Sequence, residues 1–287
     1  MSRAIEDASR EHLPLTVWLA AADAETAAAC EAGCCHPVSG PLARHLIAAC
    51  TRLGETVVHL GASDHQLVSA ALTAGCFPVA VFTDEVRAGV TWTRLARTHP
   101  DSDLEITDLR IIDPHDEAST LADLTGSAGL VVAEQHCGQA GQRAGHLGLD
   151  DDAEVPGIAS AAELVKPGGH LAVVAGLHRQ ARVADPLPEI IDQVRQAGLA
   201  YLQHIIALRQ PARGERLHTD SSRHGLAALR TLPERAGSLA SARVHSDVLL
   251  FTRPKTASES HGPQAIPASG AGSQGRRESL SQAGGES

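Results

Sequence analysis

The chain has 287 residues, 43% of them hydrophobic but only 2% aromatic, so any core is built from Leu, Val, Ile and Ala rather than from rings. Its 24 basic and 34 acidic side chains leave a formal net charge of -10. That balance argues against a surface given over to nucleic acid, because phosphate neutralisation supplies most of such affinity. No apolar stretch reaches the roughly 18 residues of a membrane span, and the acidic N-terminus (Glu6, Asp7, Glu11) carries no cationic leader. We therefore expect a cytoplasmic protein without membrane contact, its six cysteines held as reduced thiols.

Residues 1–35 read as an N-terminal extension. Cys30, Cys34, Cys35 and His36 cluster at its end, and four soft ligands so close could hold zinc. The spacing fits no usual finger and no second pair follows, so they are read as free thiols and no metal is expected. Thr56–Leu60 is a β-branched run closed by Gly61, and the spacing from His65 to Ala74 is helical. Pro78–Phe82 predicts a second buried strand and Val86–Arg97 another helix. Leu104–Thr107, Gly129–Ala133 and His170–Ala175 are further apolar runs. Leu199–Leu208 and Arg243–Thr252 read as two late strands without a full crossover helix between them, which suits an antiparallel pair. From about residue 255 the composition turns to Ser, Gly, Ala, Gln and Pro, the mark of a disordered tail.

Alternating strands and helices of this kind imply a doubly wound α/β domain over residues 36–254, with a mostly parallel sheet of about seven strands and an antiparallel last strand. In such folds the turn after the first strand, here Gly61-Ala62-Ser63-Asp64, is where a nucleotide-type cofactor approaches the backbone. Only one glycine stands there, so an ordinary strand–helix turn explains it equally. Asp84, after the second strand, could accept from ribose hydroxyls or cap the next helix. Asp108 is a candidate for an adenine amino group. Glu134, Gln135 and His136 follow the fourth strand and could hold an acceptor. Cys137 beside His136 invites a nucleophile–base reading, but chain neighbours rarely point at one another.

With these pieces placed, the chain resembles a group of actinobacterial methyltransferases related to DNA methylases that modify exocyclic amino groups of cytosine or adenine. The resemblance rests on Val17-Trp18, His36-Pro37, Leu42-Ala43-Arg44-His45-Leu46-Ile47, Thr51-Arg52-Leu53-Gly54-Glu55-Thr56-Val57-Val58 and Val244-His245-Ser246-Asp247-Val248-Leu249-Leu250-Phe251. The helix-stopping Leu164-Val165-Lys166-Pro167-Gly168-Gly169 turn resembles the one before the fifth strand of many methyltransferases. It implies a Rossmann-like methyltransferase fold, S-adenosylmethionine as cofactor held by His36, Pro37, Gly61, Ser63, Asp84 and Asp108, and DNA as a partner. The chain departs from the family at two places. Val58-His59-Leu60-Gly61-Ala62-Ser63-Asp64 lacks the acidic residue and second glycine of the cofactor loop, and Glu134-Gln135-His136-Cys137 replaces a Pro-Pro-aromatic turn. Without that aromatic there is no platform on which to stack an extruded base. Two readings follow: a methyltransferase with an altered catalytic motif, or an inactive methylase-derived binding or regulatory protein. A nicotinamide oxidoreductase is disfavoured by the absent G-x-G-x-x-G and the late strand pair.

Overall fold

The structure is a computed structural model and describes residues 15–20, 38–112, 120–135, 157–175, 178–180, 182–184, 186–209, 212–213, 216–217 and 245–255. In chain order the first half comprises β1 (Leu15–Leu19), α1 (Gly40–Cys50), β2 (Thr56–Leu60), α2 (Gln66–Thr73), β3 (Phe77–Phe82), α3 (Glu85–Thr98), the single turn α4 (Asp101–Leu104), β4 (Asp108–Ile111) and β5 (Ala128–Glu134). The second half adds α5 (Ile158–Leu164), β6 (Val165–Ala175), the short pair β7 (His178–Gln180) and β8 (Arg182–Ala184), α6 (Leu187–Gln196), β9 (Ala200–Leu208), the short pair β10 (Ala212–Arg213) and β11 (Arg216–Leu217), and β12 (His245–Thr252).

Eight strands form one sheet in the order β1-β9-β12-β6-β5-β2-β3-β4. All neighbours run parallel except β12, which lies antiparallel between β6 and β9. The late strands therefore pair as the sequence suggests. The eighth strand is β1, one more than the seven expected. It joins the edge beside β9 because Trp18 and Ala20 pack inward while Val17 and Leu19 stay exposed, an alternation too short to stand out in the sequence.

Strands β2, β3 and β5 and the second half of β6 are buried on both faces, so they read as continuous apolar runs. On one face Val58, Leu60, Val131, Ala133, Leu171 and Val173 meet Ile158 and Ala161 of α5 and Ile190 and Val194 of α6. On the other, Val57, Leu130, Val132 and Val174 meet Leu42 and Leu46 of α1 and Leu67 of α2. Each fully buried Leu or Val contributes about 1.5–3 kcal/mol, so aliphatic packing suffices without rings. Helix α1 starts where Ser39 Oγ accepts from the Leu42 N–H at 3.2 Å, with Pro41 in the first turn.

Two local expectations are refined. The strand sought at Leu104–Thr107 is Asp108–Ile111 instead, because Pro100 and the acids of Asp101-Ser102-Asp103 start a helical turn that ends near Leu104. The Lys166–Gly169 turn lies inside β6: Val165 pairs with Ala128, four residues bulge, and His170 resumes opposite Leu130. Gly168 has φ +76, and a Cβ on Gly169 would stand 2.8 Å from the Ala128 carbonyl oxygen. Both glycines are thus required by backbone geometry.

Candidate functional site

Strands β2, β3 and β4 step away in one direction and β5 and β6 in the other, so the chain reverses its winding between β2 and β5. Such a switch point, at the carboxyl ends of the strands, is where open α/β sheets hold ligands. The polar residues of β2 and β5 converge there.

Glu134 closes β5 at 2% exposure, and His59 lies in β2 at 1%. A carboxylate so placed needs partners, and it has them. Glu134 Oε1 accepts from the Val38 N–H at 2.9 Å and from His59 Nε2 at 3.0 Å, while Oε2 accepts from Ser63 Oγ at 2.9 Å. The carboxylate thereby ties together the strand β2, the loop after it and the residue leading into α1. The other ring nitrogen of His59, Nδ1, is buried with no partner among the described residues.

The loop between β2 and α2 begins at Gly61, whose φ of +68 turns the chain sharply off the strand. The Ala62 N–H then bonds the Val81 carbonyl of β3 at 2.9 Å. Asp64 follows, its Oδ1 accepting from the Gln66 N–H at 2.9 Å at the start of α2. Its Oδ2 is buried without a partner among the described residues. Burial pushes the Asp64 carboxyl up to about 6; the Gln66 N–H opposes this, the nearby Glu134 charge reinforces it, and His59 and Arg94 oppose it weakly.

Of the residues singled out in the sequence, the structure brings together Gly61, Ser63 and Glu134. Gln135 continues the ladder, its N–H bonding the Val174 carbonyl at 2.9 Å. Asp84 stands after β3 as the cap of α3, its Oδ1 accepting from the Val86 N–H at 2.8 Å and its Oδ2 3.6 Å from Arg87 Nε. Asp108 stands apart from the cluster: it begins β4, in register with Val79, about 10 Å short of the strand's carboxyl end at three residues of roughly 3.3 Å each. There it pairs with Arg110 at 2.8 Å, which also grips Asp123 at 2.6 Å. His36, Pro37, His136, Cys137 and the Cys30–Cys35 cluster lie outside the described residues.

Sequence reasoning passed over His59 and Asp64 as site residues. The signal for His59 was present: an imidazole inside the apolar strand Thr56–Leu60 must find a buried partner, and Glu134 ends the equally apolar β5. Asp64 carried no such mark, since an acid before a helix is ordinarily a solvated cap.

The group the fold implies is S-adenosylmethionine, which offers hydrogen-bond donors as an α-ammonium and a ribose diol. The edge presents a matching acceptor in the half-exposed carboxylate of Asp84, and the Oδ2 of Asp64 is a buried acceptor without a partner among the described residues, so the residues present fit it. Among the described residues no group of three His, Cys, Asp or Glu side chains could hold a metal, and no helix is long and apolar enough to cross a membrane.

Strand order and the antiparallel β12 define a Rossmann-like methyltransferase fold. No family model matches the chain, and no curated protein does. Among solved structures it is similar to a precorrin-6Y C5,15-methyltransferase from Geobacter metallireducens, at 10% identity and a TM-score of 0.48 over 82% of this chain and 97% of that one. It is similar also to a TehB-like methyltransferase dependent on S-adenosylmethionine from Corynebacterium glutamicum, at 10% identity and a TM-score of 0.42 over 74% and 86% of the two chains. TrmN from Thermus thermophilus matches at 13% identity and a TM-score of 0.44 over 75% of this chain; the match spans 49% of TrmN. At this level of likeness the sheet order, rather than the neighbours, carries the fold.

Proposed function

We propose that the chain is a methyltransferase-fold protein that binds S-adenosylmethionine or its demethylated product but does not methylate exocyclic amino groups of DNA, serving instead as a binding or regulatory module. The observation that carries this reading is the state of Glu134. An acceptor-holding group must face the ligand, whereas both Glu134 oxygens accept from the protein itself at 2.9–3.0 Å and its side chain is buried. In Glu134 the acceptor strand ends in a scaffold group. Gln135 spends its backbone N–H on β6, and the net charge of -10 adds no attraction for a polyanion.

On the cofactor side, the Asp64 Oδ2 would accept from the α-ammonium and Asp84 from the ribose hydroxyls, with Gly61 turning the backbone out of the way. When bound, S-adenosylmethionine supplies an electrophilic methyl on a sulfonium. The ammonium favours the ionised form of Asp64, so affinity should rise as pH passes upward through about 6. The experiment is calorimetric titration with S-adenosylmethionine and S-adenosylhomocysteine, followed by incubation of the full chain with methyl-labelled cofactor and duplex DNA. Binding without transfer of label is the expected result. Absence of binding at millimolar cofactor overturns the cofactor half, and label incorporated into DNA overturns the other.

A further inference from the structure

In and beside the helices of this chain, Thr51, Thr73, Thr93, Thr98 and Thr107 each bond their hydroxyl back to the carbonyl four residues before, at 2.7–3.0 Å. Ser69 of α2 does otherwise. Its Oγ lies 2.8 Å from His99 Nε2, and the other ring nitrogen, Nδ1, lies 3.3 Å from Asp103 Oδ2. The backbone brings the three together. Helix α2 buries Leu67, Val68, Ala70, Ala71 and Leu72, which leaves Gln66, Ser69 and Thr73 as its partly open stripe. Pro100 cannot continue α3, so His99 is held extended at φ -123 and ψ 148. The same proline opens α4, whose turn returns Asp103 to the imidazole. The His99 side chain is 9% exposed and that of Asp103 34%, while Ser69 is half-buried. An ionised carboxylate only accepts, so Asp103 takes the proton-bearing Nδ1, and the neutral ring then turns the Nε2 lone pair to the Ser69 hydroxyl. Nucleophile, base and orienting acid thus stand in the order that activates a serine.

We propose that Ser69, His99 and Asp103 form a nucleophilic centre, sharing no residue with the cluster around Glu134, that takes the acyl group of an activated carboxylic ester. The backbone N–H groups beside Ser69 are engaged within α2, that of Ser69 itself on the His65 carbonyl at 2.9 Å. They offer nothing to a developing oxyanion, so the substrate must carry a good leaving group such as a phenol. In the first step the Ser69 oxygen bonds the carbonyl carbon and its proton passes to His99 Nε2. The bond to the leaving oxygen then breaks as that oxygen takes the proton from the imidazole. In the second step water, losing a proton to the same nitrogen, bonds the acyl carbon; the serine oxygen leaves with that proton and the acid is released.

The full chain is incubated with a fluorophosphonate and, separately, with para-nitrophenyl acetate. Mass spectrometry should place the phosphonyl adduct on Ser69, and nitrophenol should be released faster than by the urea-unfolded chain. Ser69→Ala puts the best helix former into a helix, so the fold is kept while adduct and excess release are lost. His99→Gln keeps a hydrogen-bonding side chain but no base, and with far-UV circular dichroism unchanged it should slow both reactions by roughly a hundredfold. Asp103→Asn, whose bond is longer and whose side chain is more open, should slow them by about tenfold. A chain that carries no adduct on Ser69 after prolonged exposure overturns the proposal. So does labelling of Ser69 at undiminished rate in folded His99→Gln or in the urea-unfolded chain, and an unchanged rate in Asp103→Asn overturns the part given to that residue. None of these results depends on S-adenosylmethionine binding.

Discussion

Replacing Asp64 by Asn probes the ligand edge through stability alone. In the unfolded chain the carboxyl titrates near its ordinary value of 3.8, whereas in the folded protein burial holds its proton to about 6. Between those values the folded state binds more protons than the unfolded one, so stability falls as pH rises from about 4 to about 6 and is level above. A difference of about two pH units corresponds to an upper bound of about 3 kcal/mol, which partial solvent access of the side chain reduces to roughly 1–3 kcal/mol. Asparagine keeps an oxygen for the Gln66 N–H and carries no charge to desolvate. Urea unfolding at pH 4, 5, 6 and 8 should therefore show Asp64→Asn matching the parent at pH 4 and exceeding it by that amount at pH 8, without the parent's decline between. At pH 8 the variant should also bind S-adenosylmethionine less tightly, since the ammonium loses its anion. A variant no more stable than the parent at pH 8, with the same slope below 6, refutes the reasoning about burial.

Glu134→Ala strands the Val38 N–H, His59 Nε2 and Ser63 Oγ in a buried pocket and should cost about 3–5 kcal/mol in denaturant unfolding, whereas Glu134→Gln, which keeps an acceptor, should cost markedly less. Arg110→Ala frees Asp108 and Asp123 and breaks the bond to the Thr120 carbonyl at 2.6 Å; a loss of about 1–2 kcal/mol, shrinking at high salt, is the expected outcome of the same assay. Gly169→Ala drives a methyl against the Ala128 carbonyl oxygen and should lower stability by about 1–3 kcal/mol, measured by thermal melting.

The fold was legible wherever burial on both faces forced an unbroken apolar run. Thr56–Leu60 stands as a strand with those bounds, and the runs at 78–82, 129–133 and 170–175 lie within β3, β5 and β6. The edges were harder to read. β1 alternates over five residues and contributes only one inward face, and β4 is a half-exposed strand whose start is masked by the apolar Leu104 and Ile106 just before it. That displacement mattered for the site as well as the fold, because a strand ending at Thr107 would have delivered Asp108 to the ligand edge, whereas a strand starting at Asp108 leaves it at the opposite end.

The same contrast separates the two halves of the candidate site. Positions just after a strand depend on backbone course, so the turn at Gly61 and the helix-capping acid after β3 could be placed from strand and turn signals alone. Whether a polar side chain faces a ligand or the protein depends on long-range pairing, which adjacent residues do not encode. Glu134 meets Val38 across 96 positions and His59 across 75. Read along the chain, Glu134 is simply an acid that closes an apolar strand. Read across the sheet, it is the buried partner of His59 in β2. Glu134 and His59 therefore act as one buried unit that joins the end of β5 to β2. A change at one strand alone should fail on this account. His59→Asp in the presence of Glu134 would bury two carboxylates against each other and should destabilise the chain by several kcal/mol at neutral pH, less at pH 4 where one is protonated. Combining it with Glu134→Gln should recover most of that loss, and urea titrations in which the double variant is no more stable than His59→Asp alone would refute the coupling of the two residues.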